Sequence, residues 1–148
     1  MIVNNNPYVI EYNVRMGDPE TQVVLPLLDS SLFELLYKAS KGSLSDVEFK
    51  ISDKTAVTVV LASKGYPKQY EKNMKIKMNT SNSDLVFHAG TKMDNHTLYA
   101  VGGRVLNVVG FGKNLKNAIS NAYEIADRID FENKYLRQDI GKKGLEYK

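Results

Sequence analysis

The 148-residue sequence predicts an α+β fold with a strongly twisted or barrel-like sheet in its second part. Three observations carry this. Helix caps and apolar stripes crowd into residues 18–42. Beyond a short polar linker, SLSD at 43–46, runs rich in β-branched residues dominate. One further amphipathic stretch, 114–127, follows the last long strand.

Each element has a local reason. Residues 1–3 and 8–14 read as two strands around the turn NNNP, where Asn tolerates the left-handed region and Pro7 closes the turn. In MGDPETQVVLPLL, Gly17 permits a turn, Asp18 suits the N-cap and Pro19 the first helical position. Glu20 favours the positive end of the helix dipole, and Pro26 ends or kinks the helix. DSSLFELLYKASKG is a second helix, with a serine cap, the stripe Leu32, Leu35, Leu36 and Ala39, and Gly42 as its stop. A boundary falls at 43–46, dividing the chain into 1–42 and 43–148.

AVTVVLAS (56–63) reads as a buried strand. Residues 64–83 are polar, basic and turn-rich and predict a long surface loop. DLVFHAGT (84–91), TLYAV (97–101) and GRVLNVVGFG (103–112) are further strands. The helix from Asn114 to Asp127 turns Leu115, Ala118, Ile119, Ala122, Tyr123 and Ala126 to one side. Residues 131–148 form a basic tail with a turn at Ile140–Gly141.

Composition narrows the function. With 20 basic and 17 acidic residues, the net charge of +3 gives no argument for nucleic acid or an anionic membrane. The absence of cysteine excludes disulfides, thiolate metal sites and a cysteine nucleophile. There is no apolar run of the roughly 18 residues a spanning helix needs. MIVNNNPYVIEY lacks a basic region followed by an apolar core, so it does not read as a signal peptide. The expectation is a soluble cytoplasmic protein.

The most informative stretch is VIEYNVRMGDPETQ, residues 9–22. On a strand, Ile10, Tyr12 and Val14 share one face and Glu11, Asn13 and Arg15 the other. Glu11 and Asn13 then present two hard oxygens, a minimal protein share of a Mg²⁺ site. Arg15 could grip a phosphate or carboxylate. The competing explanation is an ordinary wet face of an antiparallel strand.

Elsewhere the signals favour structure. His88 is expected as a core or interface residue and His96 as a turn residue. GGRV (102–105) reads as a tight turn or bulge sooner than an anion site, and GFGKN (110–114) as a strand–helix turn. The cluster Arg137, Asp139, Lys142 and Lys143 is either a phosphate site or a solvated terminus. Tyr66 and Tyr70, in a basic loop without a wider positive field, argue for a solvated loop.

Glu-x-Asn-x-Arg followed by GDPET resembles the end of the ATP-grasp domain of the phosphoribosylamine–glycine ligase family, also called glycinamide ribonucleotide synthetases. The resemblance continues, in the family's order, through SDKTAVTVVLASKGYP (52–67), VFHAGT (86–91), GGRVLNVVGFG (102–112), IDF (129–131) and YLRQDIG (135–141). It implies that residues 1–42 are the terminal strand and helices of an ATP-grasp domain. Residues 43–148 would be a small barrel-like, mostly antiparallel sheet domain with a helix.

The resemblance also implies an activity: ATP phosphorylates glycine, and 5-phosphoribosylamine attacks the glycyl phosphate, giving glycinamide ribonucleotide for purine biosynthesis. Carried over, Glu11 and Asn13 are ligands of Mg²⁺ or Mn²⁺. Arg15 is the catalytic cation. Asp18 and Glu20 line the substrate side or orient Arg15 and the turn, and Arg137, Lys142 and Lys143 bind substrate phosphate. The partners implied are ATP, glycine, 5-phosphoribosylamine and the ligase's N-terminal portion, without which these 148 residues would be inert. The alternatives are an isolated interaction module that pairs with a complementary chain through an unpaired strand edge, and a small-ligand-binding barrel.

Overall fold

The asparagine pair near the start does what its turn chemistry predicts. In the computed structural model, which describes residues 1–146, Asn4 and Asn5 both take positive φ (49° and 62°) and close a hairpin of β1 (Ile2–Val3) and β2 (Asn6–Pro7). The expected strand 8–14 does not form. Those residues are irregular and exposed, with Tyr12 at 83% and Val14 at 97% exposure. A strand is held by its neighbour's hydrogen bonds, and this segment has no such neighbour among the described residues.

Helix α1 (Glu20–Val24) runs into a 3₁₀ turn, Leu25–Leu27, that contains Pro26. Pro19 occupies the N-cap position, so Asp18 is not the cap the sequence suggested. Helix α2 (Leu32–Ser40) starts where expected, with the Ser31 hydroxyl accepting from Glu34 N at 3.3 Å, and stops at Gly42, φ +69°. A 3₁₀ turn, Leu44–Asp46, follows. The chain then doubles back: Ser52 N donates to Leu27 O at 2.8 Å, and Leu28 bridges Ile51.

The core lies beyond this point and runs from Val57 to Phe131. Strand β3 (Thr55–Ser63) is long and β-branched. Residues 64–83 are not one loop, because β4 (Met74–Lys75) and β5 (Lys77–Met78) interrupt it. Met74 of β4 and Ile76, between the two strands, are buried. Next come β6 (Leu85–His88), the hairpin β7 (Thr91–Asp94) and β8 (Thr97–Ala100), and β9 (Arg104–Gly112). Helix α3 (Leu115–Asp127) is capped by Asn114, which accepts from Asn117 N at 2.9 Å. Two short strands, β10 (Ile129–Asp130) and β11 (Lys134–Tyr135), and a 3₁₀ turn, Lys142–Leu145, complete the described chain.

All strand pairs among the described residues are antiparallel. The main sheet has the order β11-β3-β9-β6. A second sheet is β4-β8-β7, and β10 pairs with β5. The two larger sheets meet at a corner where Gly90 N donates to Arg104 O and Val101 N to Gly90 O. A Cβ on Gly102 would lie 2.8 Å from the Gly90 Cα, so two glycines allow the chains to cross.

Register sets the faces of the main sheet. Val57, Val59 and Leu61 stand opposite Gly110, Val108 and Leu106, and this face meets α3. Gly110 and Gly112 let the backbone approach the alanine side of the helix, Ala118 and Ala122. The other face carries Thr58, Val60 and Ala62 toward α1 and the tail. Between Leu61 and Ala62 the register slips, so Leu61 faces Leu106 while Ala62 faces Arg104. This bulge at the strand start agrees with the reading of GGRV. It turns Arg104 out of the core face, which an even alternation would have assigned it, and onto the opposite face.

Candidate functional site

The bulge decides where the one long cation of β9 goes. Arg104 reaches the N-terminal segment, where Nη2 pairs with Asp18 Oδ2 at 3.0 Å and Nη1 donates to Asp18 O at 3.0 Å. Asp18 Oδ1 accepts from Gln22 Nε2 at 2.9 Å. Thr21 N donates to Gly17 O at 2.9 Å, and the Thr21 hydroxyl donates to the same oxygen at 2.5 Å. A tight turn, 17–21, is thereby clamped from both ends.

Two clefts flank that turn. The first, about 490 Å³, is lined by Asn13, Arg15, Gly17, Glu20 and Thr21 among others. Glu20 folds over Gly17, where any Cβ would collide with its carboxylate. Arg15 is exposed and its Nη1 donates only weakly, at 3.4 Å, to Met16 O, leaving the guanidinium turned to solvent. The second cleft, about 300 Å³, lies between Pro19, Tyr66, Arg104, Tyr135 and Arg137 over a floor of Thr58, Val60 and Ala62.

Arg137 is fixed by its own neighbour. Nε and Nη2 donate to Asp139 Oδ1 and Oδ2 at 2.9 and 2.7 Å. The hydrogen bonds from Arg137 hold the Asp139 carboxyl below the ordinary carboxylate range, and the pairing raises Arg137 in turn. The loop is tied down by Tyr123, whose hydroxyl donates to Arg137 O at 2.6 Å and accepts from Ile140 N at 3.2 Å. Reading Tyr123 as part of an apolar stripe missed this, because the stripe gives no hint of the phenol's hydrogen bonds to Arg137 and Ile140.

Of the predicted residues, Asn13, Arg15 and Glu20 share the first cleft, and Glu11 does not line it. Asp18 faces Arg104, and Arg137 lines the second cleft. Lys142 and Lys143 are exposed in the last 3₁₀ turn and line neither. His88 is exposed, so the expected core placement is corrected. Its ring is still satisfied, with Nδ1 3.0 Å from the Thr91 hydroxyl. It ends β6, the outer strand of the main sheet, none of whose four residues is buried. His96 sits in the β7–β8 turn as expected, with φ +62° beside Asn95 at +43°. Arg104 and Tyr66 belong to the second cleft; in the sequence Arg104 reads within GGRV as a turn or bulge sooner than an anion site, and Tyr66 as part of a solvated loop. The bulge that aims Arg104 is legible only in the register.

Among the described residues, no group of three or more His, Cys, Asp or Glu could hold a metal ion. Glu11 and Asn13 still fit a hard divalent cation in donor type, since such an ion takes one or two protein oxygens and the rest from phosphate and water. No helix among the described residues is long and apolar enough to cross a membrane.

These features define an α+β domain whose β-bulge arginine grips an N-terminal turn set between two clefts. Residues 56–143 match the family model described as the phosphoribosylglycinamide synthetase C domain, and the chain belongs to that family. It is 48% identical over 143 residues to the phosphoribosylamine–glycine ligase of Agrobacterium fabrum, covering 95% of this chain and 34% of that one. It is 47% identical to the ligase of Chlorobaculum tepidum, covering 98% and 35%. The crystal structure of the Thermotoga maritima phosphoribosylamine–glycine ligase is similar at a TM-score of 0.73 and 36% identity, over 95% of this chain and 35% of that one. The chain thus spans about a third of the length of these relatives.

Proposed function

We propose that the chain is the C-terminal part of an ATP-dependent carbon–nitrogen ligase of purine biosynthesis. The ligase joins glycine to 5-phosphoribosylamine through a glycyl phosphate to give glycinamide ribonucleotide, in the cytoplasm. The observation that carries the proposal is the identity of 41–48%, over nearly the whole chain, to relatives named as this ligase or as bifunctional purine biosynthetic proteins. In this reading residues 1–42 close an ATP-grasp domain and residues 43–148 form the barrel-like C domain.

The roles follow from the clefts. Arg15 points a solvated guanidinium into the first cleft, where it would neutralise a phosphoryl or carboxylate oxygen. Glu20, lying over Gly17, would line the substrate side, and Asp18 would set the turn. Glu11 and Asn13 would hold Mg²⁺ or Mn²⁺ with ATP, and the ion when bound supplies charge neutralisation to phosphate oxygens. Arg137, with Lys142 and Lys143 beyond it, would receive the substrate phosphate.

The test is a chimera. The remaining two thirds of the Agrobacterium ligase, joined to this chain, is assayed with ATP, glycine and 5-phosphoribosylamine. Turnover is expected from the chimera and none from the 148 residues alone. A folded but inactive chimera, or turnover by the chain alone, contradicts the proposal.

A second reading, a non-catalytic module that pairs with a complementary chain, is favoured by one observation. Residues 1–51 contribute nothing to the buried core and expose Tyr12, Val14, Phe33 and Leu36, beside an apolar hollow of about 360 Å³ between Leu25, Leu28, Leu35 and Phe49. Size-exclusion chromatography of the chain with and without the ligase's N-terminal portion separates the two. Stable pairing together with an inactive complex would favour the module.

A further inference from the structure

We propose that Arg104 is exchanged between two anions: Asp18 in the free protein, and the phosphate of a small phosphate ester when one enters the second cleft. The exchange links that cleft to the turn carrying Glu20. The proposal rests on the reading of Arg137 as a phosphate-binding residue and adds the partner and the consequence.

Both arginines line one cleft of about 300 Å³. Asp139 occupies Nε and Nη2 of Arg137, and Asp18 occupies Nη1 and Nη2 of Arg104. Among the described residues this leaves Arg137 Nη1 and Arg104 Nε free to donate. A phosphate dianion accepts several such bonds at once, and two guanidinium groups suit it. The floor of Thr58, Val60 and Ala62 and the walls of Tyr66 and Pro19 are largely apolar. An ester with a compact organic body therefore fits better than a free anion.

The Asp18 tie is built to yield. Its two side chains are 38% and 50% exposed, and an ion pair in that environment is weak. A doubly charged competitor can take the guanidinium. Asp18 then keeps only Gln22, and the turn 17–21, still closed by Thr21 on Gly17 O, loses its tie to β9. Arg137 is spared the same exchange, because its Asp139 partner lies two residues away on a loop held by Tyr123.

The experiment is a titration of the ¹⁵N-labelled chain with ribose 5-phosphate, and separately with inorganic phosphate, read by amide NMR. Ribose 5-phosphate is expected to move signals at 137–143, at Arg104 and at 17–21, and to bind more tightly than inorganic phosphate. Asp18→Asn removes the competing carboxylate and is expected to tighten binding roughly two- to fivefold. Arg104→Lys keeps the charge but loses the fork, so signals at 137–143 still respond and those at 17–21 no longer do. Response at 137–143 without response at 17–21 in the unaltered chain overturns the exchange and leaves the phosphate reading of Arg137 standing. No response anywhere overturns both, and equal affinity for the two probes overturns the ester.

Discussion

The contact between α3 and the main sheet makes the sharpest stability prediction, at Gly110. Its α-hydrogen faces the helix at the point of closest approach. A Cβ there would lie 2.5 Å from Ala118 O and 2.7 Å from the Ala122 Cα. Ordinary carbon contacts need about 3.5–4.0 Å, so Gly110→Ala must push the helix away by roughly 1 Å. The obstacle is helix backbone, and no side chain can swing aside. Retreat on that scale forfeits about a quarter to a half of each dispersion contact along the interface, where Val59, Val108, Ala122 and Ala126 are fully buried. Overpacking usually costs about 1–3 kcal/mol, and this case belongs at the upper end, about 3 kcal/mol. At this chain length that is a fall in Tm of about 10 °C. Thermal and urea unfolding followed by far-UV circular dichroism measure it. Gly42→Ala is the comparison: φ is +69° with nothing within 4 Å, so only backbone strain of about 1 kcal/mol is expected. A loss at Gly110 no larger than that at Gly42 refutes the packing argument.

Other perturbations separate chemistry from structure. Arg15→Ala in the active chimera is expected to lower kcat by about 10²–10³ with Tm unchanged, because its only hydrogen bond among the described residues is the long one to Met16 O; a parallel loss of stability would assign Arg15 to the fold. Asp84 accepts from Ser81 N at 2.7 Å and from Arg128 Nη2 at 2.9 Å, and the Ser81 backbone bond leads in holding its carboxyl below the ordinary value of 3.8. Its stabilisation is therefore present above about pH 4 and is lost as pH falls through the depressed folded value. Asp84→Asn should flatten the acid limb of a stability–pH curve, and an unchanged limb would exclude Asp84 as its source. Asn114→Ala removes the cap of α3 and should cost about 1 kcal/mol by urea unfolding; a cost near zero would mean that the first turn is held by packing alone.

What was legible in the sequence followed local physics. The asparagine turn, the serine and asparagine caps, the glycine stop and the β-branched runs of the sheet are each set by one to four neighbouring residues. Elements that depend on a distant partner were harder to read. The strands Met74–Lys75 and Lys77–Met78 carry lysines and look like loop, yet each pairs with a strand some 25 to 50 residues away. Thr91–Asp94 is polar and becomes a strand only through its hairpin. Ile125 and Ile129 lie outside the stripe first drawn on the helix but are buried in the core. The proposed site divides the same way. Glu11, Asn13, Arg15 and Arg137 stand out in the sequence, while GGRV there offers Arg104 only as a weak anion site, and its direction becomes visible once the bulge has rotated it away from the core.

That rotation bears on how the proposed site is assembled. Glu11, Asn13 and Arg15 lie on a segment with no strand partner among the described residues, and local propensity alone does not hold them in position. The first fixed point after them is Asp18, and what fixes it comes from the buried sheet through Arg104. One extra residue in β9, Val105, is accommodated in the core, and its effect is to send a cation across the domain to that turn. The C domain is thus more than a scaffold. Its most deeply buried strand ties down the turn between the two clefts, through a contact weak enough for a ligand to compete with.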